Sequence, residues 1–167
     1  MSALARFFNH YGKNVQGYDK TQTVLTKELE GENIKCHYNE DVELLKSILS
    51  GFKPEEVLIV YTPAVPKNHA EYVYLESNGF NIKKRSQVLG EITQSFKTIA
   101  IAGTHGKTTT TTLVTHLLKT AGINCYSFMG GISKNYGTNL LLGNPNDANA
   151  YVVVEADAYD RSFLTLS

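Results

Sequence analysis

With 167 residues, 42% of them apolar, the chain has material for one ordinary domain, or for one domain joined to part of another. Its 16 basic and 16 acidic residues cancel, which leaves no electrostatic footprint for nucleic acid or a membrane surface, so any anion must be held by local geometry. No stretch approaches the ~20 apolar residues needed to span a bilayer, and the N-terminus lacks the basic and apolar regions of a signal peptide; a cytoplasmic protein without membrane insertion is expected.

In chain order, short apolar runs alternate with helical patterns at intervals that suit parallel α/β units. Helices are predicted over 2–11, 22–30, 41–50, 68–78, 86–95 and 107–121, and strands over 14–18, 33–37, 57–61, 80–84, 98–102, 123–128 and 151–155. Gly12, Gly31, Gly51, Gly79 and Gly122 each fall just beyond a helical run, where a left-handed residue is expected. Cys36 and Cys125 have neither CxxC nor zinc spacing and are expected to be reduced, semi-buried thiols without a chemical role. The ten tyrosines and seven phenylalanines are scattered without basic interleaving, so no nucleic-acid partner is expected. The polar stretch Ser95 to Lys97 marks a division into domains of residues 1–95 and 96–167. The second has about three strands, fewer than the five or six or so of an average sheet.

The most informative segment runs from Thr98 to Thr112, an apolar strand that passes through Gly103-Thr104-His105-Gly106-Lys107-Thr108 into a helix. Gly103 and Gly106 let the backbone approach phosphate oxygens, the first amides of the helix face the anion, and Lys107 adds a mobile positive charge. Thr108 offers a hydroxyl to magnesium, and Thr109 continues the helix N-terminus. The loop is shorter than the strict P-loop pattern, whose first glycine would have to replace Ile101. His105 is either a turn residue with a local hydrogen bond or a direct phosphate contact. Five successive threonines, Thr108 to Thr112, are poor helix formers and point to a need for hydroxyls. Glu155 ends the apolar run Tyr151 to Val154, at the strand tip where a second magnesium ligand belongs; a solvated strand-end glutamate is the alternative.

Four stretches together resemble the Mur ligases, the ATP-dependent amide-forming enzymes of peptidoglycan synthesis: Met1 to Ala5, Thr62-Pro63-Ala64-Val65-Pro66, Gly103 to Thr111, and Val153 to Phe163. The resemblance implies an α/β protein with a Rossmann-like UDP-sugar-binding domain, followed by the start of a P-loop-type ATPase domain. It also implies ATP and Mg2+ as cofactors, with UDP-N-acetylmuramate and L-alanine joined through an acyl phosphate. Asn135, Thr138 and Asn139 fall in a segment similar to the family's Gly-Thr-Asn stretch near the UDP-sugar, although Leu140-Leu141 stand where many relatives have Ala-Arg. An empty Asn/Gly-rich turn is the alternative there. His37 resembles the histidine of a Gly-His pair near the uridine pocket, with Cys36 in place of the glycine, and a plain surface histidine is the other reading. Asp19 stands where an acidic residue grips ribose hydroxyls in dinucleotide folds, and Thr62 at another strand end is a uridine-diphosphate neighbour. The Glu-Ala-Asp motif is followed by Ala158 where relatives carry a polar residue.

In the ligases resembled, a strand and a glycine turn precede the equivalent of Met1, and a third domain follows, so the resemblance implies a fragment that is inactive alone. Two other activities stay open: a ligase that attaches a tripeptide to UDP-N-acetylmuramate during cell-wall recycling, against which Arg161-Ser162 speak, and a non-catalytic UDP-sugar or nucleotide-binding module.

Overall fold

The structure is a computed structural model and describes residues 1–156. It divides into two compact units, one made of Met1–Ser2 and Val15–Val88, the other of Ala3–Asn14 and the chain from Leu89 onward. The division near residue 95 follows chain order; the grouping by contact instead sets Ala3–Asn14 with the later strands.

In the first unit, β1 (Gln16–Tyr18) pairs in parallel with β2 (Lys35–His37), and β3 (Leu58–Tyr61) pairs in parallel with β4 (Asn81–Lys84). The connections are α2 (Val24–Gly31), α3 (Val42–Leu49) with a 3-10 turn at Pro54–Glu56, and α4 (Ala70–Ser77). Local chemistry sets the helix starts. Thr23 and Thr26 exchange side-chain and backbone bonds in a capping box that opens α2, and Asp41 accepts from Leu44 N–H at 2.8 Å to open α3. Ile34, Leu29, Leu45, Leu75 and Val88 are buried.

In the second unit a four-stranded sheet has the order β5-β8-β6-β7, with β5 at Lys97–Ile101, β6 at Cys125–Phe128, β7 at Leu140–Leu141 and β8 at Tyr151–Glu155. The first three strands are parallel, and the short β7 runs antiparallel to β6. A central parallel strand is covered on both faces, so it reads as an unbroken apolar run, and Val152, Val153 and Val154 of β8 are fully buried. α6 (Lys107–Thr120) packs on β6 and β8, while α5 (Arg85–Gln94) carries the chain across the boundary between the units. α1 (Ser2–His10) adds an aromatic cluster: the ring of Phe7 lies 5.5 Å from those of both Tyr126 and Phe128, and Tyr11 donates to the Tyr126 hydroxyl at 2.9 Å.

All seven predicted strands and six predicted helices are present, most of them trimmed by one or two residues. β7 and the 3-10 turn are additional. Gly12, Gly51, Gly79 and Gly122 take the left-handed conformation expected after a helix, but Gly31 does not. There α2 runs through the glycine, and Asn33 takes the left-handed position at φ 64°, which asparagine tolerates better than other non-glycine residues.

Candidate active site

The site is built at the C-terminal edge of the second unit's sheet. β5 leaves at Ile101, the chain turns through residues 102–106, and α6 begins. Gly103 (φ 151°) and Gly106 (φ 75°) both lie in the region that favours glycine, and Gly106 forms the helix N-cap without a side-chain bond. The helical ladder begins with Thr110 N–H donating to Gly106 O at 2.9 Å, so the amides of Lys107, Thr108 and Thr109 have no helical carbonyl to bond. These amides carry the partial positive charge of the helix end. Lys107 lies back across the loop, its Nζ donating to Gly103 O at 2.8 Å. Thr104 and His105 are exposed at the turn.

β8 brings Glu155 beside this loop, because in the β5–β8 register Glu155 stands opposite Ile101, the last residue of β5. Its carboxylate is held from two sides. Thr108 Oγ1 donates to Oε2 at 3.1 Å, and Gly130 N–H donates to Oε1 at 2.6 Å. The two metal-facing residues predicted from the sequence, 47 positions apart, are therefore in direct contact. Among the described residues no group of three or more His, Cys, Asp or Glu side chains could hold a metal by itself. One carboxylate and one hydroxyl instead suit magnesium, which usually keeps water and phosphate oxygens as its remaining ligands. Asp157, Ala158 and the segment Arg161 to Phe163 lie outside the described residues.

The threonine run has a further explanation in packing. Thr111 and Thr115 are fully buried against the sheet, Thr115 Oγ1 lies 2.7 Å from Ser127 Oγ and from Thr111 O, and Thr112 Oγ1 lies 3.6 Å from Met129 Sδ. The hydroxyls of Thr108, Thr112 and Thr115 thus fasten the N-terminal part of α6 to β6, β8 and the residue beyond β6, whereas Thr109 and Thr110 face outward.

Asn135, Thr138 and Asn139 belong to the loop between β6 and β7, closed by Ser133 N–H to Thr138 O and Met129 N–H to Asn139 O, both 2.9 Å. Thr138 Oγ1 accepts from Leu140 N–H at 3.2 Å. Asn135 lines a shallow recess with His116, Lys119, Thr120 and Tyr136, against the last turns of α6 and away from the helix N-terminus.

In the first unit, Asp19 and His37 meet at the ends of β1 and β2, where Asp19 N–H donates to His37 O at 3.1 Å. Asp19 Oδ1 accepts from Thr21 N–H, an Asx turn on an exposed strand end. His37 is no plain surface histidine: its Nε2 is 2.9 Å from Oε1 of the buried Glu71, which also accepts from Asp41 N–H at 2.9 Å. Thr62 follows β3 and its carbonyl accepts from Val65 N–H in a turn. Glu71 escaped the sequence reading. A carboxylate in the first turn of α4 is an ordinary helix-start signal, and nothing local marks it as buried. Burial pushes both the Cys36 and the Cys125 thiols above their ordinary range, so neither is an activated nucleophile.

These features define a parallel α/β protein with a strand, glycine loop and helix unit at the edge of its sheet. The chain belongs to the Mur ligase family: residues 1–97 match the model of the Mur ligase family catalytic domain, and residues 101–165 match the Mur ligase middle domain. It is 50% identical to the UDP-N-acetylmuramate–L-alanine ligase of Cytophaga hutchinsonii and 52% identical to that of Phocaeicola vulgatus, each over the whole of this chain and 35% of the relative. Among solved structures it resembles the UDP-N-acetylmuramate:L-alanyl-gamma-D-glutamyl-meso-diaminopimelate ligase of Neisseria meningitides, at TM-score 0.82 and 25% identity over 96% of this chain and 50% of that one. It also resembles the UDP-N-acetylmuramate-alanine ligase of Thermotoga maritima, at TM-score 0.75 and 27% identity over 94% of this chain and 34% of that one. The chain spans about 35% of the length of the curated relatives it matches.

Proposed function

We propose that this chain supplies the nucleotide-handling part of a cytoplasmic, ATP-dependent ligase that joins L-alanine to the lactyl carboxylate of UDP-N-acetylmuramate. In this reading residues 1–95 serve the UDP-sugar, through Asp19, His37 and Thr62, with Asn135, Thr138 and Asn139 as further contacts. Residues 96–167 serve ATP, through Gly103 to Thr109. A carboxylate is a poor electrophile until one oxygen becomes a leaving group, and a phosphoryl group from ATP makes it one. Identity near 50% to alanine ligases across the whole chain favours alanine over a tripeptide as the second substrate.

The observation that carries the reading is the contact of Thr108 with Glu155 beside a helix end whose amides are free for an anion. Because Thr108 donates its proton to the carboxylate, both lone pairs of its hydroxyl remain available to a cation. Magnesium, when bound, would neutralise charge that builds on the transferring phosphoryl group. Lys107, on a flexible stem tethered to Gly103 O, can exchange that carbonyl for phosphate oxygens.

The test is phosphate release from ATP and UDP-N-acetylmuramate by the full-length ligase polypeptide carrying this segment, with L-alanine or the tripeptide as acceptor. Release that depends on L-alanine is expected, and release with the tripeptide alone overturns the choice of substrate. Glu155→Gln should lower kcat by about 100-fold, as expected for loss of a preorganised electrostatic group, with partial recovery at raised magnesium. Gln would offer its amide N–H to Thr108 and turn the hydroxyl proton outward. Wild-type rates with unchanged magnesium dependence would remove Glu155 from the site.

A further inference from the structure

We propose that Gly130 is a positioning residue for the Glu155 carboxylate, and that its lack of a side chain sets how that carboxylate meets Thr108. The inference rests on the reading of Thr108 and Glu155 as the magnesium side of the nucleotide site.

Gly130 lies two residues beyond the end of β6, and its amide donates to Glu155 Oε1 at 2.6 Å while Thr108 holds Oε2 at 3.1 Å. With one donor on each oxygen, the carboxylate plane is fixed by a backbone group on one side and a helix N-terminal hydroxyl on the other. A hydrogen bond to an ionised acceptor is stronger and shorter than a neutral one, so the backbone amide is an effective rigid anchor. A Cβ on residue 130 would stand 2.5 Å from Glu155 Oε2, 3.1 Å from Cδ and 3.3 Å from Oε1. Space is what demands glycine, because Gly130 is not among the residues with positive φ, unlike Gly103 and Gly106 in the loop. The atoms that would clash are the far end of a flexible side chain. Alanine can therefore be accommodated by swinging Glu155 away, which spares the fold and breaks the contact with Thr108.

The neighbouring residue supplies a matched control. A Cβ on Gly131 would meet only Thr108 Cγ2, at an ordinary 3.9 Å, and its φ is likewise not positive. Two adjacent glycines thus carry opposite expectations.

The experiment compares Gly130→Ala, Gly131→Ala and Glu155→Gln in the full-length polypeptide. It reads calorimetric affinity for a non-hydrolysable ATP analogue across a magnesium titration, together with the melting temperature of the ligand-free protein. Loss of an outer-shell partner typically costs about 10–100-fold in metal affinity, and Gly130→Ala should lose that much magnesium-dependent nucleotide affinity. It should melt close to wild type, and Gly131→Ala should match wild type in both measurements. Wild-type affinity in Gly130→Ala with loss in Glu155→Gln overturns the role of Gly130 alone. Wild-type affinity in Glu155→Gln overturns the underlying reading of the site. A large fall in the melting temperature of Gly130→Ala would make the glycine a structural requirement and overturn the positioning role.

Discussion

In the proposed reading Lys107 is the residue on which the chemistry most depends, and its environment differs from that of Lys84. Its ammonium sits at the helix N-terminus bonded to Gly103 O, whereas Lys84 lies exposed at the end of β4. Lys107→Ala in the full-length polypeptide is expected to lower kcat by about 100-fold or more, the usual cost of removing one preorganised stabiliser. Lys84→Ala should leave steady-state rates within about twofold, since surface substitutions usually cost no more than about 0.5 kcal/mol. Equal small effects in a phosphate-release assay would reduce the loop to a turn. The thiols have a pH consequence. Burial raises the Cys125 pKa in the folded state, so its contribution to stability is complete below the ordinary thiol value and is lost as pH rises through the raised one. Cys125→Ser should flatten the alkaline end of a melting-temperature profile; an unchanged profile would show that other groups control it.

At the scale of elements, the start of α4 is fastened by charge and not by packing alone. Glu71 accepts from His37 and from Asp41 N–H, and Ala70 N–H donates to Glu40 Oε2 at 3.0 Å, so the first turn of α4 is tied to β2 and to the turn before α3. Glu71→Ala removes the acceptor for two donors and should cost about 1–3 kcal/mol, the usual penalty for leaving buried polar groups unpaired. Glu71→Gln should cost less, because its oxygen can still accept one bond. Urea denaturation of both variants measures this, and equal losses would show that the charge on the carboxylate, not its shape, is what matters. α6 shows a different logic. Its threonines weaken the isolated helix, yet Thr108, Thr112 and Thr115 point hydroxyls at Glu155, Met129 and Ser127, so tertiary contacts offset the poor propensity.

For the molecule as a whole, the order of residues along the chain and their grouping in space differ. Phe7, near the start of the chain, is 5% exposed and contacts rings from Tyr11, Tyr126 and Phe128 in the second unit. Phe7→Ala is therefore expected to destabilise that unit by about 3–5 kcal/mol, as large-to-small changes at buried aromatics do. Near-ultraviolet dichroism through thermal unfolding would follow the tyrosines directly. A loss below about 0.5 kcal/mol, the scale of a surface substitution, would contradict the packing of α1.

Local signals determined which residues form helices and strands, because apolar periodicity, capping side chains and glycines past helix ends act over a few residues. The glycine loop was legible for the same reason: Gly103, Gly106, Lys107 and Thr108 fall within one short run of the chain, and their chemistry needs no distant partner to be suspected. Glu155 was legible as a strand-end carboxylate, but its contact with Thr108 follows from β8 lying beside β5, a pairing across half a hundred or so residues that no local pattern encodes. The tertiary structure alone decided that Gly130 anchors that carboxylate, that Glu71 is buried beneath His37, and that α1 belongs with the later strands. Each of these depends on the free energy of burying and pairing groups far apart in sequence, which is settled only when the elements pack.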